Sequence, residues 1–269
     1  MVRKRRSRRS QKNALGFIII TVVAIIIITF IVSFLKANSS LEAYDPNTLC
    51  PLTGITGKTV ILIDRTDPLN EIQRQEIKVY LNDIKNSIAL HSAIIIYGID
   101  KPEPSWIKPD LFLCNPGKGE KKSKWTSNPM LAKKTWDIKF SKRVDETIDK
   151  LMEPLKIRNS PIMEAIKVVT IGEFVGNKNS GIAKKLIIIS DMIQNTSTFS
   201  QYKNHCDFTT FKSSRAFGHY LTDMRGIDVE IFYVRRPNLR NVQGKKHILF
   251  WQQYFNEMGA ILTKVISVI

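Results

Sequence analysis

The sequence predicts an α/β domain built on a doubly wound, mainly parallel sheet flanked by helices and preceded by one transmembrane helix. Three observations carry that expectation. An uncharged apolar stretch lies near the N-terminus, short β-branched runs recur along the rest of the chain, and segments with three-four apolar spacing separate those runs. With 269 residues and 43% hydrophobic content, the chain can form a domain of about 200 residues plus an appendage. It is too apolar to be disordered throughout. Three cysteines, with no Cys/His spacing of a structural zinc site, exclude a disulfide miniprotein and a zinc module. Nothing repeats at a period of 20–50 residues, so solenoids and propellers are excluded.

Residues 1–13 hold Arg3, Lys4, Arg5, Arg6, Arg8, Arg9 and Lys12 and no acid, seven of the 41 basic residues behind a net charge of +17. Residues 14–35 (ALGFIIITVVAIIIITFIVSFL) then run 22 positions without a charge. As a helix they span about 33 Å, enough for a hydrocarbon core of about 30 Å. The run exceeds the ~7–15 residues of a signal-peptide core, and Lys36-Ala37-Asn38-Ser39 is a poor cleavage site. We therefore read an uncleaved anchor. Only Lys36 closely follows the span, so the positive-inside rule keeps the tail in the cytoplasm and exports the remainder. In a bacterium that means the inner membrane and the periplasm. The tail then acts as a topology determinant beside anionic lipid, and no nucleic acid is expected as a partner.

Residues 36–56 have the polar, proline-containing character of a tether, and 57–269 make up the domain. Thr59–Asp64 reads as a strand buried on both faces. Leu69 to Leu90 has apolar residues at 69, 72, 77, 80, 81, 84 and 88, the spacing of a helix covering a sheet. Ser92–Gly98 and Asp110–Cys114 read as strands, the latter followed by a Gly-, Lys- and Ser-rich loop to Asn128. Pro129–Met152 reads as a helix with Trp136 and Phe140 one turn apart. Another helix begins at Pro161, with Ser160 as its N-cap. Strands at Lys185–Ser190 and Ile227–Val234, a helix at Lys246–Met258 and a closing strand at Ile261–Ile269 complete the order. An exported domain sits where disulfides persist. A Cys50–Cys114 bridge would leave Cys206 free; three buried thiols are the alternative.

Two acids fall at strand ends: Asp64 closes TVILID and Asp191 follows LIIIS. Ligands of open α/β sheets bind outside the carboxyl ends of the strands, near the topological switch point. Two carboxylates meeting there repel unless a cation or a shared proton compensates. Hydroxyls lie nearby in sequence at Thr66 and Ser160. Hard oxygens without His or Cys suit Mg²⁺, Mn²⁺ or Ca²⁺ better than zinc.

These residues resemble those of a family. Asp64-Arg65-Thr66-Asp67-Pro68 stands where a von Willebrand factor A-type domain carries its Asp-x-Ser-x-Ser loop. Ser160-Pro161-Ile162-Met163-Glu164-Ala165-Ile166 is similar to its second loop, and Ile189-Ser190-Asp191 to its third. Together such loops form a metal-ion-dependent adhesion site. The resemblance implies that Asp64, Thr66, Ser160 and Asp191 hold the ion directly or through water. Pro68 departs from the pattern, having no oxygen where the family has a second serine; Asp67 is the candidate substitute. The resemblance covers about residues 57–265. The LCNPG and SDMIQNT stretches also look like those of membrane-anchored bacterial proteins with such domains. It implies a recognition module, not an enzyme, whose ion accepts an acidic residue of an envelope protein. A scaffold that keeps the fold without the ion is the alternative.

Other patterns carry less. A strand ending in Asp is shared with haloacid-dehalogenase-type phosphohydrolases, but the acid/base place two residues on is Thr66, so the leaving group would receive no proton. Gly54–Thr59 lacks the glycine spacing of a phosphate-binding loop and precedes its strand. His91, His205, His219 and His247 are scattered, and His205-Cys206-Asp207 lacks a further local ligand. Phe250, Trp251, Tyr254 and Phe255 read as core packing on the last helix. Lys118–Lys124 reads as a solvated basic loop.

Overall fold

The computed structural model describes residues 3–39, 43–100, 108–119, 128–155, 159–176, 181–202 and 206–269. The chain divides into two compact units, 1–43 and 44–269. The first holds helix α1 (Arg3–Ser39), whose Gly16–Phe34 stretch is long and apolar enough to cross a membrane. Within that stretch Thr21 Oγ1 donates to Phe17 O at 2.9 Å and Thr29 Oγ1 to Ile25 O at 3.0 Å, so both hydroxyls bond back to the helix.

In the second unit every apolar run expected to be a strand is one. β1 (Gly57–Asp64), β2 (Ala93–Ile99), β3 (Leu111–Cys114), β4 (Ala183–Ser190), β5 (Asp228–Val234) and β6 (Ile261–Val268) form one sheet in the order β3-β2-β1-β4-β5-β6. Only β3 runs antiparallel to its neighbour; the other pairs are parallel. Alternate residues feed two cores. Val60, Leu62, Ile95, Leu186, Ile188 and Ile231 face one layer, which includes helix α5 (Ile162–Glu173) and helix α8 (Lys245–Glu257). Ile61, Ile63, Ile94, Ile96, Ile187 and Ile189 face the other, which includes helix α2 (Glu71–Ser87) and helix α4 (Lys142–Leu151). The aromatic residues of α8 are all buried, as read from sequence.

Four details differ from the sequence reading or lie beyond it. The segment read as a tether, 36–56, is fastened to the domain from Tyr44 onward. Cys50 bridges Cys114, Cys114 N–H donates to Thr48 O at 2.8 Å, and Leu49 is buried. Cys206 is free and buried. The long helix expected over 129–152 is three pieces: α3 (Pro129–Thr135), a π-helical turn at Trp136–Ser141, and α4. The wide turn sets Trp136 and Phe140 into the core together, their ring centroids 5.7 Å apart. Two short helices, α6 (Phe208–Lys212) and α7 (Arg215–Tyr220), carry no legible periodicity. Of the basic loop, Lys118 lies over the Trp136 ring, 4.3 Å from its centroid. Residues 120–124 and His205 lie outside the described residues.

Candidate metal centre at the strand ends

Asp64 ends β1 and Ser190 ends β4, and these two strands pair in parallel with Ile63 opposite Ile189. The pairing brings both carboxyl ends to one rim. In this strand order the crevice between β1 and β4 is the topological switch point. Asp64 is the hub there. Its Oδ1 accepts from Thr66 N–H at 3.0 Å and Thr66 Oγ1 at 2.7 Å; its Oδ2 accepts from Ser190 Oγ at 2.7 Å and Ser160 Oγ at 3.3 Å. Three hydroxyls thus give their hydrogens to one carboxylate. Thr66 and Ser160 keep lone pairs for another electrophile, whereas Ser190 Oγ also accepts from Met192 N–H at 2.8 Å.

Ser160 reaches the rim because residues 160 and 195 form a two-way backbone bridge, at 2.9 and 3.0 Å. It is not the N-cap expected from sequence. Pro161 occupies that place, and Gln194 Oε1 accepts from Met163 N–H at 2.9 Å instead. The Ser160 hydroxyl is therefore directed to Asp64.

Asp191 follows Ser190 and is 3% exposed. Its Oδ1 accepts from Ile193 N–H at 2.9 Å. Burial, then the negative charge of Asp64, pushes its carboxyl up to about 7, against the opposing pull of the Ile193 N–H and Arg236. Arg236, arriving just after β5, places Nε 3.5 Å from Asp191 Oδ2 and donates to Pro68 O. Gln243 locks this corner: its Nε2 donates to Asp191 O at 3.0 Å and Val234 O at 2.9 Å, and its Oε1 accepts from Arg236 N–H at 2.6 Å. Asp67 is exposed. The Tyr202 hydroxyl is pushed up to about 12 by burial, then by the charges of Asp191 and Asp67.

Beneath the rim, Met192 takes a left-handed backbone conformation (φ 61°). Its carbonyl accepts from Trp251 Nε1 at 2.8 Å and lies 3.1 Å from His247 Nε2. His247, fully buried, also contacts Tyr233 OH through Nδ1 at 2.6 Å. It is a packed structural histidine whose burial pushes its pKa down to about 4.

The four residues read from sequence as metal ligands, Asp64, Thr66, Ser160 and Asp191, all border this one rim. Sequence reasoning missed Arg236, the bridging use of Ser190, and the supporting amides of Gln194 and Gln243. Ser190 adjoins Asp191 and could have been weighed; nothing near Arg236 announces its destination. The donor set of two carboxylates and hydroxyl oxygens suits a hard divalent cation. Among the described residues, no cluster of three His, Cys, Asp or Glu side chains forms. Pro68 adds no side-chain oxygen, and the Arg236 guanidinium already offsets part of the negative charge.

No protein-family model matches the chain, and no curated protein matches it by sequence. Among solved structures it is similar to proximal thread matrix protein 1 from the mussel byssus, determined with a zinc-occupied MIDAS motif, at 13% identity and a TM-score of 0.40. That match covers 80% of this chain and 44% of the other, so this chain spans less than half the length of that protein. It is also similar to the conserved hypothetical protein BatB from Bacteroides thetaiotaomicron, at 11% identity, a TM-score of 0.42, and 79% and 90% coverage of the two chains. An aerotolerance-related membrane protein from Bacteroides fragilis matches at 10% identity, a TM-score of 0.40, and 79% and 92% coverage. At such identities and TM-scores the likeness carries no argument about family or function. The doubly wound sheet, with its three loops at the carboxyl rim, has the architecture expected from the sequence.

Proposed function

We propose that the chain is a membrane-anchored recognition module, its basic tail cytoplasmic and its α/β domain facing the periplasm of a bacterial envelope. Its partner is an envelope protein, bound through a divalent ion, Mg²⁺ or a close substitute, at the rim between β1 and β4. One observation carries this reading: Asp64 gathers the hydroxyls of Thr66, Ser160 and Ser190 beside the buried Asp191, a hard-oxygen set with excess negative charge. Thr66 and Ser160 would hold the ion through their free lone pairs, with Asp64 and Asp191 supplying charge directly or through water. When bound, the ion would supply a Lewis-acid contact for an acidic side chain of the partner. Asp64 fixes the hydroxyl orientations, and Gln243 fixes the backbone of Asp191. No general acid accompanies Asp64, so the reading is non-catalytic.

The Arg236–Asp191 pair favours a second reading, a scaffold whose internal guanidinium serves as the counter-charge. Calorimetric titration of the detergent-solubilised protein with Mn²⁺ separates the two. The recognition reading expects saturable binding that Asp64→Ala removes. No binding at millimolar Mn²⁺ leaves the scaffold.

A further inference from the structure

The helical segment from α3 to α4 has two faces. Trp136, Phe140, Val144 and Ile148, four residues apart, are buried, and the wide π-helical turn keeps that spacing on one side. Two positions away, about half a turn, Met130, Lys134, Ile138 and Lys142 are all exposed and form an outer ridge. Leu131 enlarges its apolar part: Met130, Leu131 and Ile138 are 83%, 60% and 51% exposed. Apolar side chains clustered on a surface mark an interaction site.

The ridge is also cationic. Between 130 and 143 the exposed charges are Lys133, Lys134, Lys139, Lys142 and Arg143 against one acid, Asp137. The acids that follow are matched: Asp145 with Lys85 at 2.6 Å, Asp149 with Lys78 at 2.9 Å, and Glu146 with Lys142 at 3.7 Å. Lysine stems lie along apolar surface while their ammonium groups reach outward. Apolar side chains interleaved with lysines therefore suit the boundary between hydrocarbon and anionic headgroups.

This ridge stands beside the point where the chain from the anchor enters the domain. Arg143 Nη1 donates to Asn47 O at 3.0 Å, and Leu49 is buried in the core layer that holds Trp136, Phe140 and Val144. Tyr44, the first residue of the domain, follows Leu35, the end of the uncharged run, by nine positions. Nine residues reach at most about 30 Å. With the anchor in a bilayer, the domain meets that lipid surface at high effective concentration.

We infer that the outer ridge of α3 and α4 docks on the anionic lipid surface of the bilayer that holds the anchor. Met130, Leu131 and Ile138 enter the headgroup boundary, and the lysines meet lipid phosphates. The inference rests on the anchoring part of the proposed function and asks nothing of the rim between β1 and β4.

The test uses the full-length protein in lipid nanodiscs of phosphatidylcholine, alone or mixed with phosphatidylglycerol. Met130→Cys carries an environment-sensitive fluorophore. Leu249→Cys, exposed on α8 in the opposite layer, is the reference, and the buried Cys206 escapes labelling. In phosphatidylglycerol discs the label at 130 should shift to the blue and be quenched by spin-labelled lipid, and the label at 249 should do neither. High salt and Lys133→Gln/Lys134→Gln/Lys139→Gln, confined to exposed positions, should abolish both signals. Ile138→Ser should reduce the quenching without changing the charge. A label at 130 that stays in water in every disc, equal signals with and without phosphatidylglycerol, or signals that survive the triple substitution overturn the inference. Co-elution of the chain with the discs reports anchoring separately. A co-eluting chain whose label stays in water sinks the docking alone, whereas a chain that does not enter the discs sinks the anchoring as well.

Discussion

Asp191 is the residue on which the rim's electrostatics turn, because it is buried, faces Asp64 and pairs with Arg236. A guanidinium and a divalent cation seek the same negative charge. Arg236→Met keeps much of the side-chain volume and removes the competing charge, so Mn²⁺ affinity should rise about tenfold, ~1.4 kcal/mol. Unchanged or weaker Mn²⁺ binding by calorimetry would show that Arg236 does not compete. Titration adds two opposing slopes. His247 has its pKa lowered from 6.5 to about 4, so between these values the unfolded chain binds more protons. The histidine's contribution is full above pH 6.5 and falls by about 3 kcal/mol as pH drops through 4. Asp191, raised from 3.8 to about 7, has the opposite sign: its contribution is full below 3.8 and is lost as pH rises through 7. The two partly cancel in the parent chain. Denaturant titrations from pH 4 to 7 should therefore show His247→Gln losing stability as pH rises and Asp191→Asn gaining it. Parallel profiles for the two variants would contradict both assignments.

Elements were legible from sequence where burial alone wrote the pattern. β1, β2 and β4 lie inside a sheet covered on both faces, so each carries a continuous apolar run, and β5 does so after Glu230. Helix α2 announced itself by spacing, and its start is held by a capping box in which Asn70 accepts from Gln73 N–H and Gln73 Oε1 accepts from Asn70 N–H. Asn70→Ala should cost about 1 kcal/mol in urea unfolding; a change within ~0.3 kcal/mol would mean that tertiary packing alone fixes that end. Where a distant residue decided the local outcome, the sequence was silent. The N-cap of α5 went to Pro161 because Gln194, from the β4 loop, supplies the acceptor that Ser160 was expected to give. The same substitution freed Ser160 for Asp64, so the error about the helix and the success about the site have one cause. Helices α6 and α7 are too short for a period to emerge, and Arg236 reaches Asp191 only through the fold.

At the scale of the whole chain, two independent features bear on which side of a membrane the domain occupies. Seven basic residues precede the apolar stretch of α1, which predicts export of everything after it. The Cys50–Cys114 bridge closes a separation of 64 residues, and such bridges are characteristic of oxidising compartments. Such a loop contributes about 4 kcal/mol by restricting the unfolded chain. It also fastens the segment from Tyr44 to Cys50 against β3, where Thr48 O receives the Cys114 N–H. Under the proposed export topology, orientation and stability are coupled. In the parent chain, denaturation followed by thiol alkylation should label Cys206 alone. Neutralising the seven basic residues to glutamine should invert the anchor, leave the domain in a reducing compartment and expose three alkylatable thiols. The inverted protein should be about 4 kcal/mol less stable and more readily cleaved between Tyr44 and Cys50 by added protease. Three reactive thiols in the parent chain would break the coupling at its first step, because the bridge would then be absent where the tail's charge says it should form.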